Sequence, residues 1–569
     1  MFADRRIWLA YLVVFISSTC GLVIEMIAGR IMAPYIGVSL YTWTSIIGVV
    51  LAGMSLGNFL GGVISDRRAS GATLSAIFMA GALSSASILV TTEVMTSAPV
   101  ASLQLSLLPR IILLTTGIFF LPSLILGMVS PVVIKLALQS LKTTGSTVGS
   151  IYAFSTVGSI FGTFVTGFWL ISWLGTRTIV WVVVIILLTM GILVGRLWKS
   201  RARPAAVAAL LVCVVAVWAN SSGAYLWTSY VGSDALTFAS LFLTVPIPVI
   251  VVVGLFIAPQ SVLATSTLAV VAMGTVYLGW GAGLYRAPCE VESNYFCIRA
   301  TEKSRDGHPV RALVLDHLLH SYVSMDDPTV LGYGYEQVYE EITRYYAADH
   351  QTLDTLFIGG GGYTFPRYVE SVYPQSTVDV LEIDPAVTDF ARRRLNLPPD
   401  SRIRVFHGDA RALLMAWPEP ARYDVIYGDA FNDFSVPYHL TTVEFDRMLA
   451  SHLKHDGIYL ANVIDSYQDG EFAKAVLRSL RQVFPHVYLL AFSSDWRTSS
   501  RYTFVAMASR KPFDQARFGE VLRAKGTSAT VVVSATELES YLSSGRALTL
   551  TDDFVPVDQL LAPLFAREK

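Results

Sequence analysis

Charge is scarce in this 569-residue chain: Asp, Glu, Lys and Arg make up 15% of it, against 53% hydrophobic residues. The charge present nearly cancels, with 42 Lys and Arg against 43 Asp and Glu and a formal net charge of −1. A nucleic-acid partner calls for an excess of positive charge, so none is expected. The mean hydropathy of +0.52 is too high for a soluble protein and implies membrane spans. Cysteine is scarce too: Cys20, Cys213, Cys289 and Cys297. No metal-ligand spacing occurs among them, so no metal is expected. Cys20 and Cys213 sit in apolar runs and read as packing residues. Cys289 and Cys297 flank the start of the less apolar half.

The apolar residues are unevenly spread. Residues 1–284 hold long uncharged runs, and the remainder has ordinary globular composition, so two domains are expected, each large enough for its own core. Candidate spans are residues 7–28, 41–64, 72–92, 111–138, 149–174, 178–195, 204–219, 240–258 and 262–281. The first run is too long for a signal-peptide core and lacks a cleavage site. Arg5/Arg6, Arg67/Arg68, Lys142 and the cluster at 196–203 fall on one side of the first six spans, which makes that side cytoplasmic. Nine spans would put the C-terminal part outside, so an even number, about eight, is expected for residues 1–284. Small residues, as in GMSLGNFLGG and GSIYAFSTVGSIFGTF, permit close helix contact. Glu25 inside the first span calls for a partner or a cavity, with Arg30 one candidate partner. Lys135 lies near a span end, where it can snorkel to water. The run GVISDRR at 62–68 is similar to the loop motif of major facilitator transporters, but no second copy follows.

The second half carries an ordered series. LDTLFI reads as a strand running into a loop of Gly359, Gly360, Gly361 and Gly362. A second strand ends at Glu382, a third at Asp409 with Ala410, and a fourth at Asp429. Strands ending in glycine or an acid, with helix-like segments between them, predict a doubly wound α/β sheet whose ligand sits at the strands' carboxyl ends. The glycines let a ligand touch backbone, and Glu382 is placed to accept hydrogen bonds from ribose hydroxyls. Alternating residues at 285–300 and 310–323, followed by a helix at 333–348, predict a small β-rich subdomain over 285–350 before a Rossmann-like, methyltransferase-type domain at 351–569.

From about residue 290 the chain resembles spermidine synthase, the polyamine aminopropyltransferases. LDHLLH at 315–320 stands where the family has L-D-G-x-x-Q, and YEQVYEE at 335–341 where it has D-E-x-x-Y-H-E. IGGGGY, LEID, GDA and YDVIYGD then follow in the family's order, and the whole chain, with TDDFVPVD at 551–558, resembles the family's membrane-fused branch. The resemblance implies a donor site for S-adenosylmethionine or its decarboxylated form, used as a substrate and released as methylthioadenosine. It implies that Glu382 holds the ribose, Asp409 and Ala410 contact the adenine, Asp429 acts as general base and Tyr339 lines the amine side. His320 takes the Gln position, and Asn432 the position of a second acid that grips the acceptor. The loop acid of the family is Gly362 here, which predicts room for a larger, negatively charged head group.

Three readings follow: a membrane-bound aminopropyltransferase; an enzyme that cyclises its sulfonium substrate with no acceptor amine; and a transporter or sensor whose soluble part binds the nucleoside. The expected setting is the inner (plasma) membrane, multi-pass, with the catalytic domain in the cytoplasm. The expected partners are the lipid bilayer and a nucleoside sulfonium, with a homodimer left open. A Cys289–Cys297 disulfide is possible at that position, although a reducing cytoplasm argues against it, and the pairing is left open.

Overall fold

The computed structural model describes residues 2–96, 105, 107–138, 144–196, 288–305, 307–417, 423–430, 436–524 and 529–565. The chain divides into two compact units, Met1–Pro288 and Cys289–Lys569.

Six helical segments of the first unit are long and apolar enough to cross a membrane: Ile7–Ile36, Leu40–Arg68, Gly71–Met95, Leu107–Ala137, Thr144–Leu174 and Thr176–Val194. They match the first six expected runs in order. The last three expected runs, and with them the count of eight, lie outside the described residues.

The small-residue stripes work by backbone approach. A Cβ on Gly57 would strike the carbonyl of Leu124, and one on Gly53 would lie 2.8 Å from the carbonyl oxygen of Phe120. Where the first helix meets Thr144–Val165, Thr19 Oγ1 donates to the Gly158 carbonyl at 3.0 Å and Ser18 Oγ lies 2.6 Å from Ser155 Oγ. Close backbone packing with hydroxyls bridging between helices suits a medium in which burying apolar surface contributes little. Lys135, expected to reach water, pairs with the exposed Asp66 at 2.9 Å, and Arg177 pairs with Glu93 at 2.6 Å.

The second unit opens with a four-stranded antiparallel sheet in the order β1-β2-β3-β4: β1 Val291–Glu292, β2 Cys297–Arg305, β3 His308–Leu315 and β4 Leu318–Ser324. The cysteine pairing left open is made here. Cys289 and Cys297 are joined in a disulfide, with a Cα–Cα separation of 5.1 Å. The register explains it: Glu292 pairs with Cys297, and Glu290 N–H donates to the Ile298 carbonyl at 2.8 Å, so the hairpin lays the two cysteines side by side.

A helix, Gly334–Ala347, leads into an eight-stranded mixed sheet. Its parallel part is β5 Asp354–Ile358, β6 Thr377–Glu382, β7 Arg404–His407, β8 Tyr423–Gly428 and the first stretch of β9 Leu453–Asp465. β10 His486–Ala491, β11 Tyr502–Ser509 and β12 Val531–Val532 add antiparallel pairings, and the spatial order is β12-β10-β11-β9-β8-β5-β6-β7. The chain starts at β5 in the middle, winds outward to β7, then returns to β8 on the other side of β5. That reversal opens a crevice at the carboxyl end of β5, between β6 and β8. Leu356, Phe357, Ile358, Val380, Val425 and Ile426 are buried, and each contributes about 1.5–3 kcal/mol against exposure, so the platform under the crevice is held firmly.

Candidate active site

The glycine loop follows β5 directly. Gly359 N–H donates to the Leu381 carbonyl at 2.8 Å, and Asp429 N–H to the Ile358 carbonyl at 2.9 Å, so the ends of β6, β5 and β8 are tied together. Gly359 has φ +97°, and a Cβ there would lie 2.5 Å from the Asp429 carbonyl oxygen. Left-handed geometry and close approach both require glycine at this one position. Glu382, buried at the tip of β6, reaches across the loop: one oxygen accepts from Gly360 N–H at 2.8 Å, the other from Asp384 N–H at 3.0 Å. Burial pushes its carboxyl above the usual range, and these backbone bonds work against that rise.

Asp429 ends β8. One carboxylate oxygen accepts from Tyr335 O–H at 3.0 Å and the other from Asn462 Nδ2 at 2.8 Å. Both oxygens of its side chain are thus engaged by this pair. Burial raises its pKa, while the bonds from Asn462 and Tyr335 lower it, and the net direction is upward. That direction makes it a stronger base than a solvated aspartate.

A cavity of about 320 Å³ lies over the loop, lined on one side by Gly359, Gly360, Gly361, Gly362 and Asp429 and on the other by His320, Ser321, Tyr335, Glu336, Tyr339 and Arg501. Tyr339, buried beneath it, points its hydroxyl at the Gly428 carbonyl, 3.4 Å away. Glu336 accepts from Tyr333 N–H at 2.9 Å, and burial pushes its carboxyl up to about 8.

The expected adenine residues stand apart from this cavity's lining. Asp409 caps the helix Ala410–Ala416 by accepting from Ala412 N–H at 2.9 Å, and its second oxygen is 2.6 Å from His439 Nε2. Burial pushes this carboxyl up, but the Ala412 N–H and His439 outweigh it and hold Asp409 below the usual range. Ala410 is buried at the start of that helix. Asn432 lies outside the described residues. Among the described residues no group of three or more His, Cys, Asp or Glu side chains is arranged to hold a metal ion.

The expected room at Gly362 is not there. A Cβ at that position would run into Ser321 Oγ and lie 2.7 Å from Val323 Cγ2, so the volume a side chain would occupy is already filled by β4. Sequence reasoning also missed Asn462, Glu336 and Arg501. The first had a signal: one amide inside the apolar run IYLANVI of a buried strand.

The model of the spermine/spermidine synthase domain matches residues 336–513. The polyamine aminopropyltransferase of Vibrio vulnificus is 31% identical over 214 residues, 36% of this chain and 69% of that protein. A probable polyamine aminopropyl transferase of Bifidobacterium longum is 31% identical over 130 residues, 23% of this chain and 28% of its own length. Among solved structures, a probable spermidine synthase from Corynebacterium glutamicum is 24% identical, with a TM-score of 0.40, covering 46% of this chain and 95% of that one.

Proposed function

The chain belongs to the spermidine synthase-like family of polyamine aminopropyltransferases, and on that premise we propose that it is a membrane-bound transferase that consumes an S-adenosyl sulfonium and releases methylthioadenosine. The observation that carries this reading is Asp429. It is a half-buried carboxylate with raised pKa, braced by Tyr335 and Asn462 on the cavity wall beside the glycine loop.

The chemistry needs little else. The cationic sulfur makes the neighbouring methylene electrophilic. A neutral amine attacks it, a C–N bond forms, the S–C bond breaks, and its electron pair stays on sulfur as the neutral thioether. An alkylamine of pKa about 10.4 is protonated at neutral pH, and freeing its lone pair costs about 4–5 kcal/mol. Asp429 takes that proton, and alignment over a rigid platform supplies the rest. Glu382 holds the donor's ribose and in exchange gives up part of its hold on the loop N–H groups. Asp409, oriented by His439, and Ala410 border the adenine.

A second reading, ring closure of the donor by its own amine or carboxylate, draws on the cavity's shortage of acids. Glu336 and Asp429 are the carboxylates that line it among the described residues, and Glu336 is mostly neutral at pH 7. Product analysis by mass spectrometry with and without diamines separates the two, because a cyclic product formed in the absence of amine belongs to the second.

We place the catalytic unit in the cytoplasm, where the arginine and lysine clusters direct it and where the donor is made. The Cys289–Cys297 disulfide favours the opposite, oxidising side. Side-specific proteolysis beyond residue 288 reads the orientation, and thiol labelling with and without reductant reads the disulfide.

A further inference from the structure

The cavity's polar inventory does not suit a purely cationic tail. Besides His320, its ionisable lining among the described residues consists of Asp429, Glu336, Arg501 and tyrosines. Glu336 is held mostly protonated at neutral pH, so one carboxylate and one guanidinium nearly cancel. A decarboxylated sulfonium brings two positive charges and no negative one. One extra charge at contact distance in a site of reduced dielectric is enough to discriminate between donors by about tenfold or more.

The second observation lies where β4 meets the loop. Ser321 is 5% exposed, lines the cavity, and its Oγ has no hydrogen-bond partner. It occupies the space a side chain on residue 362 would need. A buried hydroxyl left without a partner is destabilising, and a ligand atom bonded to it would relieve that. Glu382 lies near the same loop but is already engaged by Gly360 and Asp384 N–H and is not part of the cavity's lining. At this corner the protein presents a neutral O–H and no carboxylate.

We propose that the cavity takes a donor whose tail carries a carboxylate as well as an ammonium, namely intact S-adenosylmethionine, with Ser321 Oγ donating to that carboxylate and Arg501 supplying the balancing positive charge. This rests on the transferase reading above. The group moved is then 3-amino-3-carboxypropyl: a new bond forms to the methylene beside sulfur, the S–C bond breaks, the electron pair stays on methylthioadenosine, and the nucleophile's proton passes to Asp429.

The test is calorimetry on the full chain in detergent with three ligands: methylthioadenosine, which lacks the tail, S-adenosylmethionine, and its decarboxylated form. The wild type should bind S-adenosylmethionine about tenfold or more tighter than the decarboxylated donor, the scale set by one charge contact. Ser321→Asp should reverse that order and leave methylthioadenosine affinity within about twofold, because only the tail meets a new charge. Ser321→Ala keeps the test open if the aspartate variant does not fold, and should weaken S-adenosylmethionine selectively by about threefold to tenfold. A wild type that prefers the decarboxylated donor, or a preference unchanged in both variants, overturns the proposal and leaves the transferase reading standing. A wild type that binds none of the three overturns the transferase reading itself.

Discussion

Replacing Asp429 by Asn removes the base and little else. The carboxylate is bonded to Tyr335 O–H and Asn462 Nδ2, and Asn462 Oδ1 is buried without a partner. An amide at 429 can still accept from Tyr335. With the Asn462 amide turned over it can also donate to Asn462 Oδ1, trading the bond from Asn462 Nδ2 for one to an atom the wild type leaves alone, and the fold should survive. The proton then has nowhere to go. Of the about 4–5 kcal/mol needed to free an alkylamine at neutral pH, loss of a positioned base forfeits a factor of about 10²–10⁴ in turnover. The expected result for Asp429→Asn is therefore a fall in kcat of about 100-fold or more, with methylthioadenosine affinity by calorimetry changed by less than about threefold, since truncating a group not in the ligand's contacts costs under 1 kcal/mol. The wild-type rate should rise with pH along a limb displaced above the ordinary aspartate range, because burial raises the pKa of Asp429, and the variant should lose that limb. Wild-type turnover in the variant would refute the reasoning and make Asp429 a structural brace for Tyr335 and Asn462.

Glu382→Gln should weaken methylthioadenosine binding about tenfold or more, the worth of a charge-assisted bond of about 1.5–3 kcal/mol, and unchanged affinity would remove Glu382 from the ribose site. Glu336, with a folded pKa of about 8 against an ordinary 4.5, favours the folded state below pH 4.5, and that contribution is lost as pH rises toward 8. Glu336→Gln should therefore flatten the fall in melting temperature between pH 5 and 8, and an unchanged slope would show that this carboxyl is not buried as described. Gly57→Leu drives a side chain into the Leu124 backbone and should abolish a stable first unit in detergent melts, whereas wild-type melting would mean the two helices do not pack there. Mass spectrometry without reductant should recover Cys289 and Cys297 in one crosslinked species, and free thiols at both would remove the disulfide.

The fold was readable because its signals are local. Apolar runs of span length mark the six span-length helical segments described in the first unit, and the strand ends at Gly359, Glu382, Asp409 and Asp429 mark the crevice. Glycine and acid at a strand's carboxyl end are read from one segment at a time. What the residues touch was less readable, because it depends on segments far apart in the chain. Asn462 meets Asp429 across 33 positions and Tyr335 meets it across 94, and no periodicity predicts those pairs. Ser321 fills the gap at Gly362 only because β4 crosses the loop, so an absent side chain that suggests space in the sequence proves to be a close contact in the fold. The cysteine pairing is not legible for a different reason: it depends on a hairpin register that the sequence does not display.

The most direct measurement is product analysis on the purified full chain, incubated with S-adenosylmethionine or its decarboxylated form, each with and without diamines. The account predicts that methylthioadenosine appears in equal amount with an alkylated or cyclised product, and that both vanish together in Asp429→Asn. Binding of methylthioadenosine with no turnover of either donor, under any of the four conditions, would contradict it and make the second unit a nucleoside sensor.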